Sequence, residues 1–507
     1  MRLIPDDPFP EVGRVSAAAV SADGEWLAVH ADYRGFLVYR TRDLALWERV
    51  ELPGLFGGFD WHPVLALLAV GVERGSHDGE LLLYEPSTRH RVSASIADNA
   101  ARVTTRWVDE RTLELVLQTY RPGTRDLGET PVRCVVERDD WRDLADSNLA
   151  VGPGVPAPGA DFRRWDPEQE ALLGAVAADA GRSWSPRGEV WQLEVLSDGR
   201  ILAAVGHALL ECRSAEGTPL WYLESDGRHS RPNGLAFCVS PDEETAWVDA
   251  GRTMRRISLL DGTTVAEREP GYGAALHART DGVWTARFTG KESTTRFPST
   301  LHKSTVFTPS GEELFSLELG YYNRSGPCIR RSPHLLFFRN NRLVKGATKE
   351  PFLPLRSPVQ QLSRTVWSCG HTSCAAVFVD DDLGPGIVQA CLRTGLYSVQ
   401  RRTYPKCRSV WEYDVGTEMG GMDVRDHAVH VVTRTGELLT LRALDGTEIR
   451  RRPTRSDTHV FRPTSVTAAP NGDVLVGTYE GRILLFPPQE DEPSSATSIP
   501  PQDDRPR

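Results

Sequence analysis

The sequence predicts an all-β fold built from four-stranded antiparallel sheets, and two observations support this prediction. One pattern recurs between residues 14 and 486: an apolar strand, a tight Asp-Gly or Asn-Gly turn such as Asp23-Gly24, and a second apolar strand. These turns supply the positive φ that a two-residue hairpin requires. A second hairpin usually follows, as at Asp261-Gly262. Two linked hairpins form a unit of about 35 to 45 residues, which is the size of one blade of a β-propeller.

Length and composition agree with this fold class. The chain has 507 residues, 40% of them hydrophobic, with 44 glycines and 35 prolines, which suits many short strands joined by turns. No apolar run approaches the roughly 20 residues that span a bilayer, and the first residues lack the apolar core of a secretory signal. We therefore expect a cytoplasmic protein without a membrane partner, and free thiols on its eight cysteines. The excess of arginine over lysine is typical of a GC-rich bacterial genome.

Ten candidate blades follow one another along the chain, at residues 14–52, 56–94, 101–138, 189–224, 231–270, 272–319, 328–356, 362–402, 420–452 and 464–486. The last has three strands, so we expect the first dozen residues to supply the fourth, because a closed ring leaves no sheet edge exposed. The propeller would then span residues 1–486. Ten blades exceed the four to eight that are typical of one propeller. One large ring, two rings, or two units merged into one elaborated blade therefore all stay open.

Three segments interrupt the repeats. The longest, residues 140–188, contains a Pro- and Gly-rich linker with Gly152, Pro153 and Pro158, followed by a short predicted helix whose apolar stripe includes Leu172 and Leu173. We expect the linker to be protease-accessible or regulated by a partner. The helix would either pack against its own propeller or dock a partner. The second interruption is the loop at 403–420, and the third is the acidic, Pro- and Ser-rich tail at 487–507, which we predict to be disordered.

Parts of the repeats resemble known propeller families. Residues 56–94 resemble a WD40 repeat, with Tyr84-Glu85 where the Trp-Asp pair would stand. The hairpins that contain Gly217 and Gly446 are more similar to the repeats of quinoprotein-type propellers. The resemblance covers nearly the whole chain, but it concerns a repeat pattern shared by many families. It therefore implies a fold and hardly any chemistry.

One segment suggests an enzymatic alternative. The sequence Pro232-Asn233-Gly234 resembles the segment that provides an asparagine metal ligand in the gluconolactonase family of propellers. That family also needs an early glutamate and a later aspartate, and the chain has no convincing counterpart of either. A blade-entry turn accounts for the same residues. A metal-dependent hydrolase or lactonase with Asn233 at its site is thus the alternative function.

Other signs of catalysis, cofactors or nucleic-acid binding are weak. Cys369 and Cys374 have no second short cysteine pair, which argues against zinc. Neither a nucleophile elbow nor a phosphate-binding loop is found. We therefore expect no catalytic residue, no metal and no cofactor. The net charge of -10 and the pI of about 5.8 argue against nucleic acid as a partner.

The function that the sequence favours is a non-catalytic platform for protein-protein interaction. We expect a scaffold, sensor or inhibitor subunit of a bacterial cytoplasmic signalling or defence assembly, whose partners are other proteins. Aromatic and arginine side chains on loops of a rigid ring are suited to such contacts. The candidate partner-binding residues are Trp61, Trp191, Trp284, Arg401, Arg402, Trp411, Tyr413, Arg451 and Arg452.

Overall fold

The computed structural model of the chain consists almost entirely of β structure. It describes residues 1–4, 7–32, 35–73, 79–97, 100–119, 130–142, 144, 149, 151, 154–157, 167–224, 236–250, 253–268, 277–278, 280–289, 302–318, 328–330, 333, 338–339, 342–343, 372–393, 396–404, 408–457 and 459–488. Within these residues, 39 strands and one α-helix are present.

Three sheets that follow the N-terminal strand β1 (Arg2–Ile4) form a group that we call the arc. The first arc sheet contains β2 (Ala17–Val20), β3 (Trp26–Asp32), β4 (Gly35–Arg40) and β5 (Leu46–Glu51). The second contains β6 (Leu55–Trp61), β7 (Leu68–Glu73), β8 (Gly79–Glu85) and β9 (His90–Ala97). The third contains β10 (Ala100–Trp107), β11 (Thr112–Thr119), β12 (Val132–Glu137) and β13 (Val155–Pro156). The helix α1 (Pro167–Asp179) comes next in the chain.

Six further sheets form a group that we call the ring. The first ring sheet contains β14 (Val190–Val195), β15 (Ile201–Val205), β16 (Ala208–Arg213) and β17 (Pro219–Glu224). The second contains β18 (Phe237–Val239), β19 (Thr245–Asp249), β20 (Met254–Ser258) and β21 (Thr264–Arg268). The third contains β22 (His277–Ala278), β23 (Trp284–Thr289), β24 (His302–Phe307) and β25 (Glu313–Glu318). The fourth has five strands: β26 (Cys328–Arg330), which runs parallel to its neighbour β29 (Thr372–Val379), then β30 (Gly386–Arg393), β31 (Leu396–Thr403) and β32 (Ser409–Asp414). A separate hairpin joins β27 (Phe338–Arg339) to β28 (Arg342–Leu343).

The last two ring sheets complete the group. The fifth contains β33 (Met419–Arg425), β34 (Ala428–Thr433), β35 (Glu437–Arg442) and β36 (Glu448–Pro453). The sixth contains β37 (Pro463–Ala468), β38 (Val474–Thr478), β39 (Ile483–Phe486) and, at its outer edge, β1. Arg2 pairs with Leu485 and Ile4 with Ile483, so the N-terminal strand is the fourth strand of the C-terminal sheet.

The hairpins form where the turn chemistry predicts them. Gly24 and Gly262 have φ values of 72° and 76°, in the left-handed region that glycine adopts readily. The preceding aspartates accept a hydrogen bond from the N–H two residues on, at 3.0 Å for Asp23 and 3.1 Å for Asp261. The predicted all-β fold of four-stranded antiparallel sheets is confirmed.

Each ring sheet contacts the next one along the chain, and the sixth contacts the first. Five of the six neighbouring pairs are joined by hydrogen bonds or a ring-ring contact among the described residues: Gln192 with Ala236, Trp247 with Trp284, Arg401 with Ala443, Asp423 with Ala468, and Thr464 with Val190. The third and fourth sheets meet where β22 contacts β26. Because β37 packs directly against β14, the ring closes without the arc.

The arc is an insertion between two strands of the ring. The chain leaves the ring after β1, builds the three arc sheets and α1, and returns at β14. Both ends of the arc are covered: Leu173 and Ala177 of α1 pack on the first sheet, whereas Trp141 and Leu149 pack on the third. The ten sequence units therefore divide into two groups, and the first three units stand outside the closed ring.

Buried charges join the arc to the ring. The Arg482 guanidinium, fully buried, donates hydrogen bonds to the carbonyl oxygens of Phe9 and Val12 at 2.9 and 2.7 Å and forms an ion pair with Asp7 at 3.2 Å. Burial, reinforced by Arg187, lowers the pKa of nearby His207 to about 3. The neutral imidazole therefore accepts a hydrogen bond from a backbone N–H.

Two sequence predictions change in detail. Part of the predicted linker is ordered, because Val155 and Pro156 form β13 and pair with β12. The predicted seventh blade, residues 328–356, contributes three short strands in its described part, one of which joins the fourth ring sheet. The tail from residue 489 onward lies outside the described residues. No described helix is both long and apolar enough to cross a membrane.

Candidate protein-interaction surface

Three of the tryptophans predicted to contact a partner instead hold neighbouring sheets together. The indole N–H of Trp61 donates to the carbonyl oxygen of Ala19 at 2.9 Å, and that of Trp411 donates to Ala443 at 2.9 Å. Trp284 is 1% exposed and lies between the rings of Trp247 and Phe307. All three side chains bury a large apolar area, and Trp61 and Trp411 also satisfy their indole N–H groups across a sheet boundary. This corrects their assignment to an exposed surface.

Arg401 is also part of the interior. Its guanidinium is 1% exposed and donates two hydrogen bonds to the Asp381 carboxylate, at 2.6 and 2.5 Å. It also donates to the carbonyl oxygens of Ala443 at 2.9 Å and Gly384 at 3.2 Å. The pKa of Asp381 is lowered, chiefly by these hydrogen bonds from Arg401. A partner cannot reach this group in the folded chain, so its predicted role as a contact residue is corrected.

Three other candidates are half-buried and lie apart from one another. Trp191 donates to the Glu189 carboxylate at 3.3 Å in the first ring sheet. Arg402 donates to the Gln400 side chain at 2.7 Å in the fourth. Arg452 faces the sixth ring sheet, as described below. No hydrogen bond among the described residues joins any of these three side chains to another candidate residue.

The candidates in the insertion have different outcomes. Leu173 is fully buried between α1 and the first arc sheet, and Leu172 packs partly against the same cluster. The helix thus covers its own protein, and Leu173 is unavailable for docking a partner. Gly152, Pro153 and Pro158 lie outside the described residues, as does Asn233, the residue on which the lactonase alternative depends.

The structure brings Tyr413 and Arg451 together on the outer wall of the ring. Tyr413 lies on β32, the outer strand of the fourth sheet, and Arg451 on β36, the outer strand of the fifth. Arg451 donates to the Tyr413 hydroxyl oxygen at 3.2 Å and to the Glu448 carboxylate at 3.1 Å. The Tyr413 hydroxyl donates to the same carboxylate. A further ion pair joins Arg451 to Glu437 at 2.9 Å.

Exposed apolar side chains stand beside this polar group. Ile449 is 55% exposed and Val410 is 39% exposed. Each is the second residue of its outer strand and lies at a shift in the strand register. The shift opposite Ile449 falls between Thr440 and Leu441 of β35, and the shift opposite Val410 falls between Arg401 and Arg402 of β31. The extra residue of a β-bulge is unpaired, and here its side chain is turned towards solvent. We call the surface formed by Val410, Tyr413, Glu448, Ile449 and Arg451 the seam.

The charges of the seam stabilise its geometry. The pKa of Glu448 is lowered, first by its hydrogen bond from Arg451 and then by the one from Tyr413. The pKa of Tyr413 is raised by burial and by the hydrogen bond to Glu448, so the phenol stays protonated and keeps donating. The Arg451 pKa is raised, chiefly by its hydrogen bond with Glu448. At neutral pH all three groups therefore hold the charge states that their contacts require.

Packing beneath the seam sets the spacing of the two outer strands. The ring of Trp411 lies against Gly446, in the turn that leads into β36. A Cβ at Gly446 would meet Trp411 Cε3 at 2.7 Å, so only glycine permits this approach. Trp221 and Gly262 make the same contact between the first and second ring sheets. Trp411 is thus a support of the seam rather than part of its surface.

Sequence reasoning missed the apolar and acidic members of the seam. Ile449 and Val410 are single exposed aliphatic residues, and nothing in their immediate sequence distinguishes them from core residues. Glu448, and Glu437 beside the seam, lie in segments whose sequence is typical of solvated strand ends. What the sequence does contain is an apolar residue shortly after the turn that leads into several outer strands, at Leu220, Val265 and Ile449, and only the register of the paired strands shows that these residues are exposed.

The described residues contain no group of three or more His, Cys, Asp or Glu side chains arranged to hold a metal ion.

In the comparisons with known proteins, no family model and no curated protein matches the chain. Among solved structures, the chain is similar to BamB from Moraxella catarrhalis, with 10% sequence identity and a TM-score of 0.26, over 92% of this chain and 95% of that chain.

Proposed function

We propose that the chain is a non-catalytic platform that binds another protein through the seam. The observation that carries this proposal is the combination of exposed Ile449 with Tyr413 and Arg451, both fixed by hydrogen bonds on rigid outer strands. Tyrosine and arginine are enriched in the energetically dominant positions of protein interfaces. Side chains that are already fixed lose little conformational entropy on binding.

The proposal extends to a cellular role. The platform would be a scaffold, sensor or inhibitor subunit of a cytoplasmic bacterial signalling or defence assembly. Free, buried thiols at Cys134, Cys212 and Cys238 support a reducing compartment. The high ratio of arginine to lysine supports a bacterial origin.

Affinity capture with the tagged full-length chain tests the seam. Lysate proteins that remain bound would be identified by mass spectrometry for the wild type, for Ile449→Asp and for Val265→Asp. Val265 is a matched control, because it is 57% exposed and occupies the same bulge position in β21 of the second ring sheet. We expect Ile449→Asp to lose a partner that Val265→Asp retains.

Two results would contradict the proposal. One is a partner that binds Ile449→Asp as well as it binds the wild type. The other is equal loss of the partner in both variants, which would indicate a general effect of the added charge. Circular dichroism of each variant would verify that the fold is kept.

A further inference from the structure

We propose that the segment recognised at the seam is an extended peptide with alternating acidic and apolar side chains, which adds as a further strand to the edge of β36. This inference rests on the proposed function, because it assigns the chemistry of the partner that the seam binds. Strand addition is a common mode of peptide recognition in which backbone hydrogen bonds give affinity and alternate side chains give specificity.

The edge of β36 has the length and position that strand addition needs. One side of β36 pairs with β35, through Leu438↔Arg452, Leu439↔Arg451 and Thr440↔Arg450. No described strand pairs with its other side. Alternate N–H and C=O groups of an edge strand point away from the sheet and are free to pair. Six residues of strand extend over about 20 Å, which fits a peptide of similar length.

The two faces of β36 differ in burial. Ile449, Arg451 and Pro453 are exposed, whereas Arg450 and Arg452 between them are half-buried. Side chains of an added strand would follow the same alternation, because successive residues of a strand point to opposite faces. Every second side chain of the peptide would therefore lie near Arg450 and Arg452, and the others near Ile449 and Tyr413.

The face that carries Arg450 and Arg452 has uncompensated positive charge. Arg452 lies over the Phe486 ring at 4.9 Å and donates to the carbonyl oxygen of Pro487 at 3.3 Å, and its buried Nε has no acceptor among the described residues. The pKa of Arg452 is lowered by burial and then by Arg450. Neither guanidinium has a carboxylate within ion-pair distance in the described part of the chain. Carboxylates of a peptide would form charge-assisted hydrogen bonds here and relieve the repulsion.

The opposite face excludes acidic side chains. There the single positive charge of Arg451 is shared by two carboxylates, those of Glu448 and Glu437. An additional carboxylate would be repelled by both, whereas an aliphatic side chain would bury area against Ile449 and the Tyr413 ring. The two faces together therefore select alternation of acidic and apolar residues rather than negative charge alone.

The positive charges of Arg450 and Arg452 also disfavour pairing of β36 with a second copy of itself. A second copy of β36 would bring its own Arg450 and Arg452 against this edge, and like charges directly opposite are destabilising. Charged edge strands protect natural sheets from pairing with one another. The edge of β36 thus favours a strand whose carboxylates neutralise Arg450 and Arg452.

The competing occupant is the tail of the chain itself. The residues after Pro488 include Glu490, Asp491 and Glu492, which are close in sequence to the Arg452 contact at Pro487. These acidic residues are consecutive, so a strand formed by them would place at least one carboxylate on the face that excludes acid. The observed difference between the faces favours an alternating partner over the tail.

Fluorescence anisotropy with synthetic peptides tests the inference. The probes are labelled Glu-Val-Glu-Val-Glu-Val and its block isomer Glu-Glu-Glu-Val-Val-Val, titrated with the full-length chain at low salt. We expect the alternating peptide to bind about tenfold more tightly than the block peptide. Combined replacement of Arg450→Ser and Arg452→Ser would weaken its binding by about tenfold or more. Arg49→Ser, at an exposed position on the edge strand β5 of the arc, would leave binding unchanged.

Three outcomes would overturn the inference. Equal binding of the two peptides would mean that only charge is recognised, and no binding of the alternating peptide would exclude it as a ligand. Binding of the peptides only after truncation at Pro488 would identify the tail as the occupant. These failures are distinct from failure of the proposed function. If Ile449→Asp loses a captured protein that Val265→Asp retains, the platform stands even when neither peptide binds.

Discussion

Replacing Gly446 with alanine tests the packing that holds the two outer strands of the seam together. Gly446 has a φ of 76°, and a Cβ at this position would lie 2.7 Å from Cε3 and 2.8 Å from Cδ2 of the Trp411 ring. The ring cannot move aside freely, because its N–H donates to Ala443 at 2.9 Å. The substitution therefore forces either the indole or the turn out of position.

The expected cost has two parts. An alanine in the left-handed region costs about 1 to 2 kcal/mol, and overpacking against a fixed ring costs about 1 to 3 kcal/mol. Gly446→Ala should therefore reduce the free energy of unfolding by about 2 to 5 kcal/mol. Gly416 separates the two parts, because its φ is 75° and a Cβ there would meet nothing within 4 Å. Gly416→Ala should carry only the backbone cost of about 1 to 2 kcal/mol.

Urea unfolding, followed by intrinsic fluorescence and far-UV circular dichroism, would measure both variants alone and in a Trp411→Leu background. With the indole removed, Gly446→Ala should cost no more than Gly416→Ala, which gives a coupling energy between Gly446 and Trp411 of about 1 to 3 kcal/mol. The reasoning is refuted if Gly446→Ala and Gly416→Ala cost the same in the wild-type background. It is also refuted if the extra cost of Gly446→Ala persists without the indole.

Four further predictions concern the interior. Arg401→Leu should destabilise the chain by about 3 to 5 kcal/mol, because the Asp381 carboxylate loses its buried partner, and Asp381→Asn in the same chain should recover part of the loss in urea unfolding. Since the folded-state pKa of Asp381 is lowered, its contribution is present above the unfolded-state value of about 3.9 and disappears as the pH falls through the folded-state pKa. The unfolding midpoint of the wild type should therefore fall more steeply below pH ~4 than that of Asp381→Asn; parallel curves would argue against this. Glu170→Ala removes the carboxylate that accepts a hydrogen bond from the Arg14 guanidinium at 3.0 Å. It should lower the free energy of unfolding by about 1 to 3 kcal/mol and accelerate proteolytic cleavage between residues 140 and 188. An unchanged cleavage rate would show that α1 is held without this ion pair. Burial raises the pKa of the Cys238 thiol to about 12, so mass spectrometry should find Cys238 unalkylated at pH 8 in the native chain and alkylated in urea, and native labelling would contradict its buried position.

The local units of this fold could be predicted because their causes are local. An Asp-Gly turn such as Asp23-Gly24 and the alternation of the flanking strands specify a hairpin within a few residues. Membership of the ring could not be predicted, because it depends on which sheets pack together over long sequence distances. The arc consists of four-stranded antiparallel sheets, as most of the ring does, so the strand pattern does not separate the two groups. Only contacts such as Thr464 with Val190 show where the circle closes.

The candidate surface was predictable only in part, for a related reason. Tyr413 and Arg451 could be predicted as candidates because they are aromatic and basic. Their contact could not be predicted, because it joins strands of different sheets. Trp411 and Arg401 have the same composition signals and are buried, because each faces a neighbouring sheet. A register shift in the outer strand decides which residue is turned outward, and a shift of one residue is invisible in an apolar or charged run. Ile449 was missed on this account.

The pairing of β1 with β39 also imposes an order on the biogenesis of the protein. Arg2 leaves the ribosome long before its partner Leu485, because all three arc sheets and most of the ring lie between them in sequence. Each arc sheet is made of strands consecutive in sequence, so the arc can form during synthesis. The ring, in contrast, must wait with an open sheet edge until β37 to β39 have been synthesised, and closing it requires a contact of very high sequence separation. Ring closure is therefore the step at which a nascent chain is most exposed to misassembly and most in need of a chaperone.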